Sequence, residues 1–297
     1  MGFDYQQIKG PSPEDERGMS HRASEAARQL ISGIDRILSA VEVMESCRNV
    51  ARANPRFTRR VIGRTGRGCA IEVYDIGTGE THALLYAFPD PGEAVGGTGV
   101  VSLMQGISRG DNDYLNSFDV CWHLVPCLNL DDQPGDGRTV PPVSRDTTIR
   151  EVDWCLNNPR PETSALLDYA RAIRPTFTFP LHDEYHSGES LPAYIVVCQV
   201  LDSTCCETIR VCLRSFGMSI SKEYQHPTMG AGFLDITEIG PEYLNSTFSR
   251  LAEYGLVLAV EVSRQKGIAA SDLVGAQLAA GFIALEAAMS GGTARSP

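Results

Sequence analysis

The apolar run Ala83-Leu84-Leu85-Tyr86-Ala87-Phe88 gives way to Asp90-Pro91-Gly92-Glu93, and Ala94-Val95-Gly96-Gly97 opens a helical pattern directly after it. A continuous apolar run of this length reads as a strand buried on both faces. The segment therefore sets a central strand, a tight turn and a helix in immediate succession, the unit from which α/β sheets are built. It also leaves two carboxylates three residues apart at the strand's carboxyl end. Two meanings are open: an acidic helix start at the surface, or two ligands converging on a cation.

Two later runs carry isolated polar groups in a similar setting. Phe177-Thr178-Phe179-Pro180-Leu181 is apolar and ends at His182-Asp183-Glu184, while Gly255-Leu256-Val257-Leu258-Ala259-Val260-Glu261-Val262 carries one acid near its far end. A lone acid in a buried run is costly unless it is paired or bound to metal. Each has a plain structural meaning alone, a capping histidine or an edge-strand glutamate. Together, Asp90, Glu93 and His182 make a metal-binding set, and Glu261 adds one carboxylate outside it.

The rest of the pattern agrees with an α/β fold. Leu30, Ile34, Ile37, Val41 and Met44 recur at three- and four-residue steps, predicting one long amphipathic helix to about Val50. Strands are expected around 59–62, 69–76 and 82–88, with Gly77-Thr78-Gly79 as a hairpin turn between the second and third. A helix over 94–107 should use Gly96, Gly97 and Gly99 for close packing, and a strand follows over 117–128. Residues 131–153, rich in Asp, Gly, Pro, Thr and Arg, read as a long loop of the kind that is functional or disordered. Beyond it, helices over 161–173, 206–216, 242–253 and 271–289 alternate with strands over 176–182, 193–200 and 256–262. Helices should cover both sheet faces, with ligands outside the strands' carboxyl ends, where Asp90, His182 and Glu261 fall.

A formal charge of −11 argues against a nucleic-acid partner, which needs clustered Lys and Arg. No apolar run reaches the ~20 residues needed to span a bilayer. The start Met1-Gly2-Phe3-Asp4-Tyr5 has neither a basic region nor an apolar core of a signal peptide, so a cytoplasmic location is expected. The nine cysteines are irregularly spaced and read as mostly reduced. Cys205-Cys206 are small buried thiols on this reading, and Cys121 and Cys127 flank a strand end, where they could line a pocket floor. His82 and His123, on apolar strands, read as core or sheet-edge residues rather than ligands.

The ordered set of motifs resembles the zinc carboxypeptidases of the funnelin type. The family's opening strands are similar to Arg60–Gly68, and its His-x-x-Glu ligand motif falls on Asp90-x-x-Glu93. Its Asn-Pro-Asp-Gly turn falls on Asn129-Leu130-Asp131-Asp132, and its Asp-Leu-Asn-Arg-Asn segment on Asp153-Trp154-Cys155-Leu156-Asn157. Pro161-Glu162-Thr163 matches the opening of the next helix, His182 the last metal ligand and Glu261 the general base. The resemblance implies an α/β fold with a mixed central sheet and helices on both faces. Separately, the polar residues 1–22 read as a flexible segment, and the lack of a Pro/Ser-rich linker or internal repeat over 23–297 reads as one domain, which the resemblance makes metallocarboxypeptidase-like and catalytic. The resemblance also implies a metal-dependent amide hydrolase, with Asp90, Glu93 and His182 on one zinc ion and Glu261 taking a water proton. The oxyanion-stabilising arginine lands on Arg138, with Arg145 as the alternative.

Two departures qualify that expectation. Leu156 stands where the family's carboxylate-binding arginine belongs, so ordinary peptides are expected to be poor substrates; Arg160 is a candidate replacement. Asp90 stands where a histidine belongs. Two carboxylates and an imidazole cancel the charge of a divalent ion and shift preference from zinc towards Mn²⁺ or another harder ion. Glu184 is placed to contact substrate, Tyr243 and Tyr224 to be the mobile tyrosine of such pockets, and Asp183, Glu184 and Glu189 to form an acidic wall favouring an amine-bearing end. The expected partner is a small-molecule or short-peptide substrate such as an N-acyl amino acid, with no sign of oligomeric state. The alternatives are a catalytically silent binder on the same fold and a carboxypeptidase trimming peptidoglycan peptides.

Overall fold

The run ahead of Asp90 is strand β3 (Thr81–Ala87), and it lies between β4 (Val120–Val125) and β5 (Phe177–Leu181), parallel to both. The computed structural model describes residues 13–90, 92–131, 160–184, 191–239, 246–263 and 267–290. Within them β1 (Thr58–Arg64), β2 (Ala70–Ile76), β6 (Asp183–Glu184), β7 (Tyr194–Val197), β10 (Phe233–Asp235) and β11 (Leu256–Ser263) complete a nine-stranded mixed sheet of order β1-β2-β4-β3-β5-β11-β7-β10, β6 pairing with β11. β8 (Gln225–His226) and β9 (Gly230–Ala231) form a separate antiparallel pair.

Strand alternation divides the apolar residues between two helical layers. Ala83, Leu85 and Ala87 of β3 and Leu258 and Val260 of β11 face the larger layer, built from α1 (Pro13–Ile31), α2 (Ala40–Ala53), α3 (Val95–Arg109), α6 (Ser203–Ser215) and α9 (Ala270–Ser290). Leu84 and Tyr86 of β3 and Val257 and Ala259 of β11 face the smaller layer, α5 (Pro161–Ile173) and α8 (Thr247–Ala252). The short helices α4 (Asp113–Asn116) and α7 (Ile236–Ile239) complete the described elements. Helices thus cover both faces of the sheet, as the sequence predicts. α9 is long and apolar enough to meet a membrane-span criterion, yet 83% of that window is buried among α1, α3, α6 and β11. A helix apolar all round is explained by that position.

Three local expectations are corrected. The long helix over 30–50 is two helices, because Gly33 turns the chain at φ 95° and Ser39 starts α2 afresh through a capping box with Glu42. Helical structure also begins at Pro13, inside the segment expected to be loose. Gly77 and Gly79 do not close a hairpin: β2 and β3 both pair with β4, which lies between them. Those glycines are required by close approach, since a Cβ on Gly79 would sit 2.2 Å from the Asp119 carbonyl carbon and one on Gly77 2.2 Å from the Val120 oxygen.

Close approach also fixes α3 against the end of β5. A Cβ on Gly96 would meet the Leu181 Cβ at 2.3 Å and its carbonyl oxygen at 2.7 Å, whereas one on Gly99 would find only ordinary contacts from 3.5 Å. Gly96→Ala is expected to force α3 outward and to cost about 1–3 kcal/mol by overpacking. Urea unfolding checks it, with Gly99→Ala as the control expected to be milder; equal costs would contradict the packing argument.

Candidate metal centre

Backbone geometry at the carboxyl ends of β3 and β5 brings the separated polar residues together. Ala87 pairs with Leu181 across β3 and β5, so both chains leave the sheet side by side. Phe88 then takes φ 52° and Gly92 φ 86°, and the Glu93 N–H donates back to the Asp90 carbonyl at 3.4 Å. A turn with Gly at its third position suits that left-handed backbone. On the neighbouring strand, β5 and β6 lie along β11 in one register but are interrupted at His182. The His182 carbonyl is instead taken up by Gln277 of α9, whose amide donates to it at 2.6 Å and to the Val260 carbonyl at 3.3 Å.

The side chains meet in a small buried volume. Ligand atoms of Asp90, Glu93 and His182 lie within 4.8 Å of one another. His182 Nδ1 is 2.9 Å from Glu93 Oε2, 3.6 Å from Glu261 Oε1 and 3.8 Å from Asp90 Oδ2. All four residues are buried, His182 being 1% exposed and the acids 5–6%. One proton on Nδ1 cannot serve three carboxylates, whereas a divalent cation among them balances the charge and satisfies several oxygens. The donor set of two carboxylates and one imidazole fits zinc or a harder divalent ion. Asp90, Glu93 and His182 are thus the residues that could hold it, with Glu261 alongside.

Asp183 ties the segment carrying Glu93 to the segment carrying His182. Its Oδ2 accepts from the Val95 N–H at the start of α3 (2.8 Å), while its own N–H donates to Glu93 Oε2 (3.4 Å). Asp183 therefore serves the helix end, where a carboxylate is favoured, and is no part of an acidic pocket wall. Neither Asp183's role nor Gln277 was legible as site chemistry; the available signal for Gln277 is an amide within the apolar stretch Leu273–Leu285. Tyr194 was also missed. It pairs with Glu261 across β7 and β11, which places the two side chains on one face, and its ring lies 4.7 Å from that of Tyr224.

Other expected residues fall elsewhere. Arg138, Arg145, Tyr243, Glu189 and the 153–157 segment with Leu156 lie outside the described residues, as does the side chain of Glu184. Arg160 Nε is 3.5 Å from the buried Glu162, whose Oε1 accepts from the Gly66 N–H at 3.0 Å. Cys127 is buried, and Cys121 sits near the start of β4, at the opposite end of the strands from Asp90, so it does not line this site. Cys205 and Cys206 are buried thiols, and burial raises both out of the reactive range. A cavity of about 710 Å³ between α1, α4 and α9 involves none of the four residues.

Burial pushes the Glu93 carboxyl well above the ordinary carboxylate range, the Asp90 and Glu261 charges push the same way, and His182 opposes them. A carboxyl bound more tightly to its proton in the folded state stabilises at low pH and loses that contribution as pH rises from about 4.3 through the raised folded value. With chelator present, the stability of wild type relative to Glu93→Gln is expected to fall with rising pH. With divalent metal it is expected to rise, because a ligand must be deprotonated. Urea midpoints across pH give the sign directly; the same slope under both conditions would contradict the ligand assignment.

No protein-family model and no curated protein sequence matches this chain. Solved structures do. A metallo-carboxypeptidase from Burkholderia cenocepacia superposes with a TM-score of 0.57 at 19% identity over 82% of this chain and 67% of that one. The carboxypeptidase A of Helicoverpa armigera does so at 0.59 and 12% identity over 95% of this chain and 82% of its own. The fold is that of the zinc carboxypeptidases. A Pseudomonas aeruginosa metallo-carboxypeptidase, solved with (2-guanidinoethylmercapto)succinic acid, matches at 0.52 and 15% identity over 82% of this chain and 67% of that one. Identities this low establish the zinc-carboxypeptidase fold alone; the chemistry has to be argued from the side chains.

Proposed function

We propose that this chain is a cytoplasmic metal-dependent hydrolase of a small peptide-like or N-acyl amino-acid-like amide. The observation that carries the reading is His182 Nδ1 surrounded by Glu93, Glu261 and Asp90 at 2.9, 3.6 and 3.8 Å. Asp90, Glu93 and His182 hold the ion, zinc first and Mn²⁺ as the harder alternative. When bound, such an ion acidifies water and polarises the amide carbonyl. Glu261, near the end of a buried central strand and outside the ligand set, takes a proton from the attacking water and returns it to the departing amine nitrogen. Gln277 and Asp183 hold His182 and Glu93 in place through backbone groups on both sides of the break in the strand. Arg138, or Arg145 as the alternative, is assigned to the oxyanion.

The substrate's α-carboxylate is not the main anchor on this reading. Leu156 replaces the resembling family's arginine, and Arg160 is engaged with Glu162. A screen of N-acyl and γ-glutamyl amides on zinc- or manganese-loaded protein tests the proposal. Esterifying the free carboxylate of a good substrate is expected to change kcat/KM less than threefold. A hundredfold loss, about 2.7 kcal/mol, would show that a cation has taken over the missing role and would restore a carboxypeptidase reading. Absence of any metal-dependent amide cleavage would favour the silent binder.

A further inference from the structure

A second donor cluster lies at the opposite end of the same strands. His82, Cys121 and His123 bring one potential ligand atom each to within 4.8 Å of the others. The cause is register: His82 pairs with Cys121 and Leu84 with His123 across β3 and β4, so strand alternation puts all three side chains on the face that carries α5. Along β3, His82 and Ala87 are separated by about 17 Å of strand, so this cluster is distinct from the Asp90 centre.

The second set has its own support. His82 Nδ1 lies 2.8 Å from His123 Nε2, and the two rings stack with centroids 5.1 Å apart. His123 Nδ1 lies 2.7 Å from Asp75 Oδ1 and 2.8 Å from the Tyr169 hydroxyl, which itself donates to Asp75 Oδ1 at 2.6 Å. Arg60 Nε covers the other Asp75 oxygen at 2.9 Å. A buried carboxylate on the far nitrogen of an imidazole fixes its orientation, the usual support of a metal-bound histidine. His123 is buried, while His82 and Cys121 are partly exposed and give an ion a way in.

We propose that His82, Cys121 and His123 form a second metal site, for zinc, with a water as fourth ligand. One thiolate and two imidazoles suit a borderline-soft tetrahedral ion better than the hard oxygen donors at Asp90 do. Binding releases the Cys121 proton to solvent and leaves one net positive charge beside Asp75. The two ring nitrogens must part from 2.8 Å to about 3.3 Å, the spacing of two nitrogen ligands on tetrahedral zinc. Rotation of the partly exposed His82 ring accommodates this. The ion would tie β2, β3 and β4 together through side chains, and it does not depend on the reading of the Asp90 centre.

Cobalt distinguishes the two sites, because only the second contains sulfur. The full chain loaded with Co²⁺ is expected to show a thiolate-to-cobalt charge-transfer band in the near ultraviolet. Cys121→Ser should abolish the band and one equivalent of bound metal, and His82→Ala should weaken that equivalent. Asp75→Asn, acting through His123, should weaken it by about 10–100-fold while keeping the band at saturating cobalt. One equivalent with the band would leave this site standing and remove the other. No band in the wild type, or a band that survives Cys121→Ser, would overturn the proposal.

Discussion

Replacing Glu261 by glutamine is expected to lower turnover by about 10²–10⁴-fold and to leave metal content near wild type. The change is nearly isosteric and removes only the ability to take a proton. Glu261 is 6% exposed, and its Oε1 is 3.6 Å from His182 Nδ1, close enough to share the centre. In metal-free protein the substitution also removes one of three crowded acids, so the variant should be no less stable than wild type. Single-turnover rates with matched metal analysis check both halves. Full activity in Glu261→Gln would mean that another group is the base, and the arrangement around His182 would need a different explanation.

The second large effect concerns stability. An ion bound only by the folded state stabilises it by about 2.7 kcal/mol at a hundredfold excess over Kd and about 4.1 kcal/mol at a thousandfold excess. Denaturation with and without added zinc should show a gain of this order, and His182→Ala should lose the part contributed by the Asp90 centre. Cys121→Ser should retain that part. Asp90→His is expected to bind zinc more tightly than wild type, because an imidazole leaves the ion with net charge and suits it better than a second carboxylate. Identical metal dependence in wild type and His182→Ala would exclude His182 as a ligand.

Much of this centre was legible because buried parallel strands tolerate few polar residues. His182 and Glu261 stand out against Phe177–Leu181 and Leu256–Ser263 for that reason, and the turn at Asp90 is marked by its Gly. What the sequence hides is non-local. The pairing of β2 with β4 rather than β3 depends on residues 46 to 50 positions away in the chain, and Gly77-Thr78-Gly79 looks like any hairpin turn until that partner is known. Gln277 reads as a tolerated polar residue until the break between β5 and β6 exposes a carbonyl for it to bond. Asp183 reads as a neighbour of the ligand, yet strand alternation turns it to the opposite face from His182 and onto the start of α3. The break at Ser39 was local and readable, since Ser39 and Glu42 carry the capping-box signature.

The central claim is that Asp90, Glu93 and His182 hold one divalent ion. Anomalous diffraction from a zinc-soaked crystal, recorded on both sides of the metal's absorption edge, tests it without reference to any substrate. The account predicts a peak within bonding distance of a carboxylate oxygen of Asp90, one of Glu93 and Nδ1 of His182, with Glu261 outside that distance. A zinc-saturated crystal with no peak among these three side chains would contradict it.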